Sequence, residues 1–183
     1  MPYSKTHLKH LQDDFTIQTF LQDDPNQRAA LLDLYNSTQG SDWKISTNWT
    51  NPNISYCNWA GISCLTGTTN VGSIKLIANS LVGTLPSSLG QLHSLISLQI
   101  SENPFLTGSF PHGILNLTTL LCLDLSYNNL TGTLPENIDQ LSKLRTLMIG
   151  SCGMSGSVPA SIGNMTSLVV LRIFNMISIS GAL

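Results

Sequence analysis

Apolar residues recur along most of this chain at fixed offsets. From Leu120 they fall at Leu123, Leu125, Leu130, Leu134, Ile138 and Leu141, with Asn128, Gly132 and Pro135 at set places between them. A shift of 24 residues reproduces the pattern from Leu144 through Leu147, Ile149, Met154, Val158, Ile162 and Met165, with Cys152, Gly156 and Pro159 in the intervening places. Earlier copies open at Val71 and Leu95, the second with one extra residue after Asn103, and a fifth opens with Leu168, Leu171 and Ile173. Such a period marks stacked units, none of which can bury its apolar face alone. Each Leu-x-Leu core predicts a short strand with alternate side chains buried. Strands of successive copies then stack as a parallel sheet. The pieces SLGQL, NIDQL and SIGNM predict a short helical or 3₁₀ turn on the opposite side. The proline of each Gly-x-[Leu/Val/Phe]-Pro segment blocks ladder pairing and keeps its neighbour extended.

Ahead of the repeats, Asp24–Pro25 combines a capping residue with a proline at the first helical position, which predicts a helix start. Residues 26–37 carry Ala30, Leu31, Leu34 and Tyr35 on one face. Residues 1–23 read as an N-terminal tail, either poorly ordered or a short amphipathic helix with Leu8, Leu11 and Phe15 at helical spacing.

The repeat pattern resembles the plant-type leucine-rich repeat, LxxLxLxxNxLxGxLPxxLGxL, over residues 71–183, as four full copies and a truncated fifth. The resemblance implies an α/β solenoid: a right-handed leucine-rich-repeat superhelix with a parallel concave sheet. The amide of the repeated Asn can bond the backbone of the turn leaving each strand. Cys152 replaces that Asn, as the general repeat pattern allows, and Met176 departs from it. Residues 24–70 resemble the plant-type N-terminal cap, with its C-x-W-x-G-[VI]-x-C loop at Cys57, Trp59, Gly61, Ile62 and Cys64. A helical cap covers the core edge that the first repeat would otherwise expose. Trp43, Trp49 and Trp59 are then cap core. Four cysteines allow three pairings. The local contexts and the cap resemblance favour Cys57–Cys64, leaving Cys122 and Cys152 reduced.

Only 10% of residues are charged, against roughly 25% for an ordinary soluble protein. Hydroxyls and amides keep the surface wet, and long-range steering is weak. The net charge of −2 and the lack of a basic cluster exclude nucleic acid as an expected partner. No apolar run approaches the ~20 residues of a membrane span, and no secretory signal follows Met1. The chain stops at Leu183, where the fifth proline is due, so a fragment, an early-terminated gene model or a piece of a longer array is expected. Six sequons occur, at Asn36, Asn48, Asn53, Asn116, Asn129 and Asn164. With the cap disulfide they point to an extracellular or cell-surface setting, cytoplasmic being the alternative, and they leave the middle of the concave sheet clear.

Catalytic chemistry finds little support. His7, His10, His93 and His112 have no partners at ligand spacing. The pairs Asp13–Asp14 and Asp23–Asp24 read as solvated charge beside helix starts. Gly150, Gly153 and Gly156 lack the Lys-Ser or Lys-Thr of a phosphate loop. Cys122 has no histidine in phase. The expectation is no enzyme, no metal and no cofactor.

Solvent-facing strand positions build one extended surface in a solenoid. Here that surface offers Lys75, Gln99, Glu102, Asp124, Tyr127, Met148, Arg172 and Phe174 to a protein or peptide ligand. Tyr127, Met148 and Phe174 are the apolar anchors. The resemblance implies a receptor-like ectodomain or secreted recognition protein. The alternatives are an inhibitor of cell-wall hydrolases, similar to the polygalacturonase inhibitors, and a cytoplasmic scaffold.

Overall fold

The computed structural model describes residues 23–150, 153–175 and 177–179. The expectations placed on residues 1–22, Cys152 and Met176 fall outside them. Helix α1 (Pro25–Ser37) begins where Asp24 accepts from the backbone N–H groups of Asn26 (2.8 Å) and Gln27 (3.4 Å). Its Ala30, Leu31 and Leu34 side chains are buried.

Eleven strands follow among the described residues: β1 (Ile62–Cys64), β2 (Val71–Lys75), β3 (Val82–Thr84), β4 (Ser97–Gln99), β5 (Phe105–Thr107), β6 (Cys122–Asp124), β7 (Thr131–Gly132), β8 (Thr146–Gly150), β9 (Gly153–Gly156), β10 (Val170–Phe174) and β11 (Ile177–Ile179). Strands β1, β2, β4, β6, β8 and β10 form one sheet in that order. From β2 onward all neighbours are parallel. Strand β1 lies in the cap loop and pairs antiparallel with β2. The link over residues 65–70 is too short for a crossover, and only a hairpin can close it. Ile74, Leu98, Leu123 and Leu147 lie side by side beneath the sheet, each 0% exposed.

The extended stretches before each proline pair as well, β3 with β5 and β7 with β9 and β11. Gly108 sits here at φ 88°, and a Cβ on it would lie 2.9 Å from the Thr84 methyl. Left-handed backbone and a close neighbour both demand glycine. Short 3₁₀ turns at Ser87–Gln91, His112–Asn116, Ile138–Gln140 and Ala160–Asn164 cover the convex side.

Asparagines tie the turns together. Asn103 Nδ2 donates to the carbonyls of Leu76 (3.0 Å) and Ser101 (2.8 Å). Its Oδ1 accepts from the N–H groups of Asn79 (2.9 Å) and Leu81 (3.2 Å). Asn128 repeats this one step on, donating to Ile100 and Leu125 and accepting from the Asn103 N–H. Asn79 turns to the cap instead, pairing with both the N–H and the carbonyl of Ile45.

Two further fastenings join cap and first repeat. Gln27 Oε1 accepts from the Val71 N–H at 2.9 Å, and the Val82 N–H donates to the Thr38 carbonyl at 3.1 Å. These satisfy groups that an uncapped first repeat would leave to solvent. Behind them Trp43, Trp49 and Trp59 are 5%, 5% and 2% exposed. Trp49 lies 4.9 Å from both other indoles and stacks on Tyr35 at 5.7 Å. Cys57 and Cys64 are joined in a disulfide. Replacing both by serine is expected to lower stability by about 2 kcal/mol, since the closed loop is short. Urea midpoints of the two proteins check this.

Candidate functional site

Leu-x-Leu buries its leucines, so the intervening side chains face the concave side. The parallel register lines up Lys75, Gln99, Asp124, Met148 and Arg172 as successive partners across β2, β4, β6, β8 and β10. Beside them run Ser73, Ser97, Cys122, Thr146 and Val170. Lys75 and Arg172 are exposed, and Gln99 and Met148 are half-buried. Asp124 departs from the expectation of an open contact residue. It is 9% exposed, and its Oδ1 accepts both the N–H and the hydroxyl of Ser126. A carboxylate two residues before a strand-end N–H is captured by it. Cys122 is a free thiol that accepts a weak bond from Gln99 Nε2 at 3.8 Å.

A third file edges this face. Ala78, Glu102, Tyr127 and Asn175 have φ of 51°, 59°, 56° and 50°. Left-handed backbone is unfavourable for Ala, Glu and Tyr, and the ladder imposes it on these three. The N–H groups of Ala78, Glu102 and Tyr127 donate to the carbonyls of Ser101, Ser126 and Gly150 at 2.9, 3.1 and 2.8 Å. Glu102 and Tyr127 are held outward as a result, and Tyr127 is 51% exposed. The Tyr127 ring meets Phe174 edge-on at 5.6 Å and 62°. Phe174 can lie there because residue 150 is glycine, and its ring fills the place of a Cβ.

An opening of about 470 Å³ lies against this file, lined by Glu102, Pro104, Tyr127, Asn128 and Asn129. Sequence reading did not single out Pro104. The signal was the extra residue after Asn103, which appeared only as a break in period. Asn36, Asn53, Asn116, Asn129 and Asn164 are exposed. Asn48 is half-buried, and two of the sequon amides are engaged: Asn48 Nδ2 donates to the Asn58 carbonyl at 2.8 Å and Asn164 Nδ2 to Asp139 Oδ2 at 3.0 Å. Asn129 borders the opening, so a glycan there would rim the concave edge.

The cap carries the perturbed ionisations. The Gln27 side-chain amide and the Asn26 N–H hold the Asp24 carboxyl below its ordinary value. Its helix-capping contribution is therefore present above the unfolded value and lost as pH falls through the folded one. Burial pushes the Tyr56 phenol up, helped by the charges of Asp23 and Asp24. The neutral phenol donates to the Thr69 carbonyl at 2.7 Å. Above a pH of about 10 the unfolded chain ionises first, so stability should fall there. Tyr56→Phe should flatten that alkaline decline in urea titrations while lowering stability at pH 7.

Among the described residues no three His, Cys, Asp or Glu side chains converge as metal ligands. No helix among them is long and apolar enough to cross a membrane.

The assembled geometry has close counterparts. The family model described as a leucine rich repeat N-terminal domain matches residues 24–65, and the Leucine Rich Repeat model matches 119–141. The Arabidopsis thaliana LRR receptor-like serine/threonine-protein kinase GSO2 is 33% identical over 149 residues, covering 79% of this chain and 10% of the relative. MDIS1-interacting receptor like kinase 1, from the same plant, is 41% identical over 143 residues, covering 78% and 13%. The chain thus spans about a tenth of the length of these relatives. The crystal structure of the Arabidopsis thaliana BIR2 ectodomain superposes with TM-score 0.75 at 30% identity, over 87% of this chain and 83% of that one. A plant ice-binding protein superposes with TM-score 0.79 at 25% identity, over 86% and 50%. The LRR ectodomain of the Arabidopsis thaliana receptor kinase GASSHO1/SCHENGEN3, solved in complex with CASPARIAN STRIP INTEGRITY FACTOR 2, gives 0.73 at 31%, over 84% and 18%. Capped N-terminal helix, disulfide-closed Trp loop, stacked parallel strands and asparagine ladder agree with these matches, and the chain belongs to the plant-type leucine-rich-repeat proteins.

Proposed function

We propose that this chain is a non-catalytic recognition module working outside the cell, taking a peptide or a second ectodomain on its concave face. The observation that carries the reading is the rigid row Lys75–Gln99–Asp124–Met148–Arg172, edged by the exposed aromatic pair Tyr127–Phe174. Fixed aromatic anchors among small hydroxyls bind with little side-chain ordering cost. The disulfide supports an oxidising compartment, and residues 1–23, 24–70 and 71–183 serve as tail, cap and binding array. The similar Arabidopsis receptor kinase HAESA, solved in complex with the peptide hormone IDA and the co-receptor SERK1, supports this class of ligand. An inhibitor of cell-wall hydrolases would use the same face.

The experiment is interferometry on the immobilised chain with two probes, the co-receptor SERK1 and the peptide hormone IDA. One of them should bind, and Met148→Arg in the middle of the row should weaken it about tenfold or more. Binding of neither, or binding indifferent to Met148, removes the reading. Protein from its natural source should also carry the disulfide and glycans at the exposed sequons in mass spectra. Free thiols with bare asparagines would return the cytoplasmic scaffold.

A second reading rests on a different face. Thr84, Ser109, Thr133 and Ser157 repeat in one phase and are all exposed. The ladder pairs Thr84 with Thr107 and Ser109 with Thr131, which sets hydroxyl-bearing residues roughly 4.8 Å apart, an array that suits ordered water. The likeness to a plant ice-binding protein supports it. Slowed ice recrystallisation that is lost in Thr133→Lys is the expected result, and no slowing by the unaltered chain ends it.

A further inference from the structure

We infer that the opening beside Tyr127 is a built subsite for one basic side chain, a guanidinium, of a bound peptide or protein loop. This rests on the concave-face reading and sharpens it. The subsite arises from the break in period. Its copy carries one extra residue after Asn103, and the added Pro104 forms a wall of the opening together with Glu102, Tyr127 and Asn129. Phe105, the next residue, is turned out to 66% exposure. The insertion thus widens the edge of the face at one place along the solenoid.

Three features fit a guanidinium. The Glu102 carboxylate is exposed and makes no side-chain hydrogen bond or ion pair among the described residues. Its backbone is fixed by the ladder at φ 59°, so the acid projects from a rigid point. Tyr127 stands on the adjacent repeat in the same conformation, and its half-exposed ring is braced by Phe174. A planar cation can stack on such a ring while donating to the carboxylate. The methylene stem then lies along Pro104 and the ring edge. Asn128 also lines the space, but both ends of its amide are engaged in the ladder, so it supplies wall rather than contacts. The opening of about 470 Å³ has room for a side chain and the backbone bearing it.

The test is a two-dimensional amide NMR titration of the full disulfide-bonded chain with acetyl-arginine amide and with acetyl-citrulline amide, its neutral isostere. The arginine probe should shift the amides of Glu102, Tyr127 and Asn129 saturably, and citrulline should bind about tenfold more weakly. Glu102→Gln, at an exposed position, should keep the thermal midpoint and bring arginine down to the citrulline level. Equal response to both probes, arginine shifts elsewhere on the chain, or affinity unchanged in Glu102→Gln overturns the subsite. The concave-face reading fails separately, through indifference of the two larger probes to Met148→Arg.

Discussion

Asn103→Ala should lower stability by about 3 kcal/mol or more while leaving every surface contact untouched. The amide of Asn103 satisfies four backbone groups at once: the carbonyls of Leu76 and Ser101 and the N–H groups of Asn79 and Leu81. Asn103 is 0% exposed and Leu81 likewise, so solvent does not reach the orphaned groups. The Ser101 carbonyl keeps the Ala78 N–H, so three groups are left unpaired; each costs roughly 1–3 kcal/mol, and even the lower figure gives about 3 for the set. A thermal midpoint should drop by roughly 6–12 °C at about 2–4 °C per kcal/mol for a chain of this size. The exposed Asn116, at the edge of a convex turn, is the control. Asn116→Ala should stay within about 0.5 kcal/mol of the parent. Equal stabilities for the two variants would mean that the asparagine ladder does not hold the turns. Asn103→Asp separates donor from acceptor: it keeps the bonds from Asn79 and Leu81, forfeits the other two, and buries a charge.

Trp49→Ala should cost about 4 kcal/mol, within the range of roughly 3–5 for a buried tryptophan. Trp49 stands at the centre of the cap cluster, between Tyr35, Trp43 and Trp59, and its Nε1 donates to the Ala60 carbonyl at 2.9 Å. Its removal leaves a cavity that the disulfide loop and α1 cannot both close. The cap would loosen from the first strand, and the apolar end of the solenoid would open to solvent, so concentration-dependent aggregation should accompany the lower midpoint. Trp49→Phe keeps most of the packing and loses the hydrogen bond, so a cost of roughly 1–2 kcal/mol is expected. Urea denaturation followed by tryptophan fluorescence measures both variants. A ligand role for Trp49 would appear instead as lost binding at unchanged stability, which its 5% exposure makes an unlooked-for result.

Much of this architecture is local and therefore readable along the chain. Leu98 and Ile100 are buried and Ser97 and Gln99 are half-buried because a strand alternates its faces, whatever its neighbours do. Asp24–Pro25 starts α1 because capping needs only the next few residues. Gly108 and Gly156 were visible as repeat positions. The reason for them, backbone sign plus the approach of Thr84 and Thr133, needed coordinates.

The candidate site was legible as a row and not as a set of partners. Asp124 was read as an open charge because the sequence does not say that Ser126 folds back onto it. The sequons at Asn48 and Asn164 were legible as motifs, whereas the acceptors of their amides, the Asn58 carbonyl and Asp139, were not. Tyr127 and Phe174 were named as separate anchors, and their ring contact depends on Gly150 in the intervening strand.

The sequence by itself determined the period, the buried face, the cap and the strand residues that look outward, since each follows from periodicity or from contacts within a few residues. The tertiary structure decided the antiparallel β1, the left-handed file of Ala78, Glu102, Tyr127 and Asn175, and the opening that Pro104 helps to wall. These depend on hydrogen bonds and ring contacts between repeats, where a one-residue insertion re-aims side chains and only the stacked register says against what.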